Sequence, residues 1–201
     1  MRVTFIGDSI TDAGRDRSDA GSYGDGYVSL LAPGLVAGGA RVRNLGIAGN
    51  RVADLAARWD AELMPTAPEL LTVFVGVNEM LRRYDSADPT PTAQYAATYR
   101  RLLDAVVAAH RPRLILMEPF FLPPTPEQSA WRDDLDEKRE AVSRIAGEYG
   151  AAFVPLDAVF AEAARTVAPV DLAPDGVHPT PVGSRLIADA WTAASNISDS
   201  R

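Results

Sequence analysis

The chain has 201 residues and a net charge of −7, with 47% hydrophobic and 23% charged residues. A domain of that length buries roughly 70% of the surface its unfolded chain exposes, and the absence of cysteine removes disulfides, thiolate metal clusters and cysteine nucleophiles together. The acidic balance lacks the basic footprint that grips a phosphate backbone or an anionic bilayer, so neither nucleic acid nor membrane is an expected partner, and a neutral polar substrate remains open.

The chain begins MRVTFIG and runs straight into a strand-like segment, with no secretory leader pattern before it. No apolar run reaches the roughly 20 residues of a bilayer span. With the lack of cysteine, these features lead to the expectation of a cytoplasmic location. Short β-branched apolar runs at 3–6, 41–45 (RVRNL), 70–75 (LLTVFV), 114–117 and 152–155 are the strand candidates, of the kind covered on both faces of a sheet. Between them lie helical patterns. From about 92 to 110 the residues Tyr95, Tyr99, Leu102, Leu103, Val106 and Val107 recur at spacings of three and four, making one apolar face. A second helix is expected over 127–149, stopped by Gly150. The last begins at Thr180 as N-cap, with Pro181 in its first turn, and runs to about Ala194. The polar tail after it is expected to fray, leaving residues 1–195 as a single domain and 196–201 as a tail. Repeated strand–helix alternation implies an α/β sandwich around a parallel sheet. The proline-rich stretch 119–126 (PFFLPPTP) reads equally as a substrate wall or as a rigid connector.

Three segments follow the first three strands: Gly7-Asp8-Ser9, Gly46-Ile47-Ala48-Gly49 and Gly76-Val77-Asn78. In an open parallel sheet, ligands bind beyond the carboxyl ends of the strands, where strand order reverses. The three segments should therefore converge on one crevice. Ser9 fits a helix N-cap in Ser9-Ile10-Thr11-Asp12. It also fits a nucleophile whose nearby backbone N–H groups can take developing negative charge. A serine nucleophile needs a base. Of the two histidines, His110 ends an amphipathic helix, where it complements the helix dipole. His178 lies in Pro174-Asp175-Gly176-Val177-His178-Pro179, where Asp175 can reach the imidazole and fix its tautomer. Taken singly, His178 also reads as a structural loop histidine, Gly49 as a turn and Asn78 as a polar loop residue. Taken together they supply a base and its orienting acid, and with the Ser9 N–H, the Gly49 N–H and the Asn78 amide a set of oxyanion donors. Asp8, beside the serine, is carried as a substrate-binding candidate.

GDSI, NLGIAGN, GVN and DGVHP, spread from Gly7 to Pro179, resemble the four blocks of the GDSL/SGNH hydrolases. That resemblance implies a flavodoxin-like three-layer α/β/α sandwich with a five-stranded parallel sheet. It implies Ser9, Asp175 and His178 as catalytic residues and Ser9, Gly49 and Asn78 as the oxyanion hole. No metal or organic cofactor is implied. GDSITDAGR, GDGYVSLL, GIAGNRVADLAARW and ILMEPFFL further resemble intracellular bacterial acetylxylan esterases, which act on xylo-oligosaccharides and form higher oligomers. The implied activity is hydrolysis of short acyl esters, O-acetyl groups of carbohydrate among them, through an acyl-Ser9 intermediate. Two positions depart from the pattern. Glu79 stands where the third block usually has aspartate, and Pro174 where the acetylxylan group often has tryptophan.

A lysophospholipase or thioesterase on the same fold, and a non-catalytic carbohydrate-binding protein that keeps the scaffold, are the rival readings. Asp8, Asp12, Asp16 and Asp19 form an acidic string that lacks the spacing of a calcium loop, and capping and solvation account for it. Trp59 and Trp191 are expected in the core, and Trp131 at a rim or subunit contact. Arg82, Arg83 and Tyr84 are read as solvated surface that can also line the rim.

Overall fold

A computed structural model describes residues 1–196. Five strands, β1 (Arg2–Gly7), β2 (Arg41–Gly46), β3 (Leu70–Phe74), β4 (Arg113–Met117) and β5 (Ala152–Val154), form one all-parallel sheet in the order β2-β1-β3-β4-β5. The inner strands β1, β3 and β4 are apolar almost throughout because both their faces are covered. Strand β2 is an edge and alternates, with Arg41 and Arg43 exposed. Strand β5, the other edge, stops at Val154 because Pro155 has no N–H to give the ladder.

Helices cover both faces, as the three-layer expectation requires. They are α1 (Ser9–Asp12), α2 (Tyr27–Ala37), α3 (Val52–Arg58), α4 (Val77–Asp85), α5 (Thr92–His110), α6 (Arg132–Glu148), α7 (Leu156–Ala163), α8 (Pro169–Leu172) and α9 (Pro181–Ser195). Strand residues alternate between two cores. Val3, Phe5, Phe74 and Met117 meet Tyr27 of α2, Phe160 of α7 and Trp191 of α9. Ile6, Leu71, Val73 and Leu116 meet Leu55 of α3, Leu103 of α5 and Val142 of α6. Trp59 and Trp191 are each 2% exposed, one in each core, and Trp191 donates its indole N–H to Thr72 Oγ1 at 2.8 Å.

The helix expected over 127–149 divides. Its first five residues, Glu127–Trp131, form a tighter 3₁₀ turn, and Ser129 N–H donates to Pro126 O three residues back. The α-helix proper starts at Arg132, whose guanidinium reaches back to Phe121 O and across to Asp157. At the far end Gly150 takes φ +59° and Ala151 N–H closes on Ala146 O at 2.9 Å. Helix α9 has Thr180 as its cap, the hydroxyl accepting Gly183 N–H at 3.2 Å. Ser195 still belongs to that helix and is fully buried, its carbonyl accepting from Arg113. The expected fraying of residues 197–201 lies outside the described residues. Among the described residues no helix is long and apolar enough to cross a membrane.

Candidate active site

The sheet order reverses between β1 and β3, so the loops leaving β1, β2 and β3 share one end of the sheet. The first turns abruptly. A Cβ at Gly7 would collide with Phe74 O of β3, so only glycine lets the two strands close there. Asp8 then caps α1, its Oδ1 accepting Ile10 N–H at 3.0 Å. This moves the cap one residue ahead of the Ser9 position expected from the capping-box pattern. It also removes Asp8 from the substrate contacts, because the residue is 1% exposed, sealed under the turn it caps. Ser9 is released from capping and is the first residue of the helix.

Ser9 Oγ lies 2.8 Å from His178 Nε2, and His178 Nδ1 lies 2.6 Å from Asp175 Oδ2. The other oxygen of Asp175 accepts the backbone N–H groups of Val177 (2.9 Å) and His178 (2.7 Å). A carboxylate can only accept, so Nδ1 carries the proton and Nε2 is left as acceptor for the serine hydroxyl. Partial burial works to raise the Asp175 carboxyl. Hydrogen bonds from the His178 ring and from the two backbone N–H groups outweigh it and hold the carboxyl below the usual carboxylate range. The site is open: the side chains of His178 and Asp175 are 52% and 56% exposed. Beside Ser9 and His178 sits a cavity of about 210 Å³ lined by Ile10, Ala13, Asp25, Pro179, Pro181 and Ser184.

The second loop is tied to the helix that bears Ser9. Asn44 Nδ2 donates to Thr11 O (2.7 Å) and Tyr23 O (3.0 Å), and its Oδ1 accepts Gly46 N–H (2.9 Å). Asp12 Oδ2 accepts Ala48 N–H at 2.9 Å. The next residue, Gly49, holds φ +81°, the left-handed region that favours glycine. In the third loop Asn78 occupies the first turn of α4 and donates one amide hydrogen to Asn50 O at 3.0 Å, leaving the other uncommitted. Glu79 accepts Val52 N–H at 2.6 Å, so the longer acid still pins the start of α3 to α4.

The proline-rich stretch is anchored in the core at its start and lies against the Asp175–His178 turn beyond it. Phe120 and Phe121 are fully buried, and Leu122 N–H donates to Gly176 O at 2.9 Å inside the Asp175–His178 turn. Trp131 stacks on Tyr84, centroids 4.9 Å apart, and lies parallel to Phe121 at 6.1 Å. Arg82 pairs with Asp85 and Arg83 with Asp134. His110 does more than face solvent at a helix end: its ring Nε2–H donates to Met64 O, 3.0 Å away. Of the acidic string, Asp12 binds Arg17 and Ala48 N–H, Asp16 binds Ser18 and Asp19 binds Gly21 N–H. Sequence reading missed Asn44 and Asp12 as organisers of the site; the available signal was a buried-type amide inside a strand pattern and an acid one helical turn after the serine.

A family model described as the GDSL-like lipase/acylhydrolase family matches residues 5–186. An acetylxylan esterase of Geobacillus stearothermophilus is 36% identical over 94% of this chain and 91% of its own length. The crystal structure of an acetylxylan esterase from that organism superposes with a TM-score of 0.90 at 34% identity, covering 100% of this chain and 96% of its own. Variants of it in which a serine, an aspartate and a histidine are each replaced by alanine, the aspartate three residues before the histidine, are described as catalytic mutants. An alpha/beta hydrolase enzyme from the metagenome of Lake Arreo, Spain, superposes with a TM-score of 0.88 at 31% identity over 96% of this chain and 94% of its own. By sequence and by fold, the chain belongs to the GDSL-like lipase/acylhydrolase family.

Proposed function

We propose that Ser9, His178 and Asp175 are the catalytic residues of a carboxylic ester hydrolase that removes O-acetyl groups from carbohydrate, xylo-oligosaccharides above all. The observation that carries this reading is the hydrogen-bonded chain Ser9 Oγ–His178 Nε2, 2.8 Å, and His178 Nδ1–Asp175 Oδ2, 2.6 Å. His178 takes the hydroxyl proton as Ser9 Oγ attacks the ester carbonyl. The imidazolium so formed is stabilised by the Asp175 carboxylate. The Ser9 N–H, the Gly49 N–H and the uncommitted Asn78 amide hydrogen receive the charge on the carbonyl oxygen. Collapse of the adduct expels the sugar alkoxide, which takes the proton back from His178 and leaves acetyl-Ser9. Water, deprotonated by the same His178, attacks the acetyl carbon, releases acetate and restores the serine.

The cavity beside Ser9 and His178 is small. At about 210 Å³ it falls below the roughly 300 Å³ at which pockets for drug-sized ligands begin, and the exposed His178 and Asp175 leave room for a sugar outside it. A lysophospholipase would need a longer apolar groove. On this reading residues 1–195 act as one catalytic domain in the cytoplasm, where a cysteine-free chain is at ease, and they assemble as a homo-oligomer like the resembled esterases.

The test is acetate release from acetylated xylo-oligosaccharides by the wild type and by Ser9→Ala. Release that falls by about 10⁴-fold or more in the variant supports nucleophile and substrate class together. Preference for long acyl chains in a chain-length series of esters would move the assignment to the lipase rival, and no release from any ester by folded protein would move it to a binding role.

A further inference from the structure

The cavity beside Ser9 and His178 holds one carboxylate that the mechanism does not use. Asp25 lines it together with Ile10, Ala13, Pro179, Pro181 and Ser184, and is exposed there. That carboxylate is also idle within the chain. Of the acids between residues 8 and 25, Asp8 accepts Ile10 N–H, Asp12 accepts Ala48 N–H, Asp16 accepts Ser18 N–H and Asp19 accepts Gly21 N–H. Among the described residues none donates to the Asp25 side chain, and helix α2, which starts two residues later, is capped by Gly26 without it.

Local backbone geometry holds Asp25 at the cavity. Its N–H donates to Ala13 O at 2.9 Å. A Cβ on Gly24, which has φ +73°, would lie 2.5 Å from Asp12 O and 2.6 Å from Ala13 O, and a Cβ on Gly26 would lie 2.6 Å from Ala13 Cβ. Glycine on both sides of Asp25 is what lets this loop seat on the end of α1. Ala13 is itself a non-glycine residue at φ +41°, and Asp25 Oδ1 stands 3.8 Å from the Cβ position of Gly14. The carboxylate is thus set against the turn that ends the helix bearing Ser9.

The chemistry of the step decides which part of the substrate meets it. His178 returns its proton to the leaving oxygen, so the sugar must lie on the His178 side of Ser9. The cavity is on that side. Its walls come from α1, the loop after it and residues 178–184, and none from the loops of Gly49 and Asn78 that supply oxyanion donors. An acetylated sugar carbon has hydroxyl-bearing neighbours in the ring, and a carboxylate can only accept. We propose that Asp25 binds the hydroxyl beside the acetylated carbon, with the sugar held mainly outside the cavity and this edge turned into it. Asp25 then selects acetyl esters of polyols over esters whose alcohol has no second hydroxyl. The inference rests on the esterase reading given above and names the part of the substrate that the site tests.

The test compares kcat/KM on acetylated xylo-oligosaccharides and on p-nitrophenyl acetate, whose leaving group carries no second hydroxyl, for wild type, Asp25→Asn and Asp25→Ala. A hydrogen bond to a charged acceptor is worth about 10- to 10²-fold in kcat/KM. The ratio of sugar ester to aryl ester should therefore fall by at least about tenfold in Asp25→Ala, mostly through KM. Asp25→Asn keeps an acceptor oxygen and should recover part of that ratio. In wild type, a monoacetyl xyloside lacking the neighbouring hydroxyl should lose a similar factor, and that loss should disappear in Asp25→Ala. A ratio that stays at the wild-type value overturns the proposal. Equal losses on both esters, with the acid limb of the pH–rate profile displaced, would overturn it in favour of a role in tuning His178. Folded wild type inactive on both esters would strike the esterase reading and the proposal together, which separates that failure from the other two.

Discussion

Leu122 and Gly176 clasp the proline-rich connector to the turn that carries the acid and base: Leu122 N–H donates to Gly176 O at 2.9 Å, and a Cβ on Gly176 would collide with Leu122 O. Gly176 also holds φ +82°, where side chains are strained by about 1–2 kcal/mol. Gly176→Ala must therefore push the connector away or reshape the turn, and either moves Asp175 relative to His178. The expected result is a loss of about 10²-fold in kcat with a lowered melting temperature. Unchanged steady-state kinetics would show that the clasp does not hold the base in place.

Asparagine at position 175 can satisfy the backbone only by spoiling the histidine. Val177 and His178 N–H groups both require an acceptor where Oδ1 stands. An asparagine amide must then turn its NH₂ toward Nδ1, which forces the proton onto Nε2 and leaves Ser9 without a base. Asp175→Asn should lower kcat by about 10⁴-fold while the fold and KM change little, as measured by steady-state kinetics beside circular dichroism.

The strand pattern was readable because burial on both faces writes near-continuous apolar runs, as at Leu70–Phe74. The site blocks were readable because backbone geometry demands glycine at Gly7, Gly49 and Gly176. What escaped were features set by distant partners. The capping-box pattern alone points to Ser9 where Asp8 takes the cap, because serine and aspartate cap equally well and only the tertiary demand on the Ser9 hydroxyl decides between them. The 3₁₀ turn Glu127–Trp131 carries a helical composition, while the buried Phe121 and the anchored Arg132 dictate its path. Helix α2 carries Pro33 in its interior and presents no clean periodic signal.

The buried carboxyl of Glu79 also predicts how stability depends on pH. Glu79 has a folded pKa of about 7 against a reference of 4.5, burial being the main cause, so the folded state binds the proton more tightly. Its contribution is fully present below pH 4.5 and is lost as pH rises through about 7. Asp175, held low, contributes in the opposite sense, lost as pH falls through its depressed value. The difference in unfolding free energy between wild type and Glu79→Gln isolates the first effect. It should shift against the wild type between pH 4.5 and about 7 in urea titrations. A difference that stays constant with pH would mean that Glu79 is ionised throughout.

Lys138 and Asp134 form the most deeply buried ion pair away from the site, 2.7 Å apart, with the lysine side chain fully buried and the aspartate 6% exposed. Their dependence on each other is unequal. Asp134 also holds Arg83 at 3.2 Å, whereas among the described residues Lys138 donates only to Asp134, through its carboxylate and its carbonyl. Removing the acid by Asp134→Ala strands a buried ammonium and should cost about 3–5 kcal/mol. Replacing the lysine by Lys138→Met keeps the volume, removes the charge that needs a partner, and leaves Asp134 paired with Arg83; a change within about 1.5 kcal/mol is expected. Urea denaturation of the two variants separates these outcomes. Equal losses would mean that the pair stabilises by attraction between its members. A large loss for the aspartate variant alone would show that the aspartate is there to neutralise a lysine whose stem α6 needs for packing.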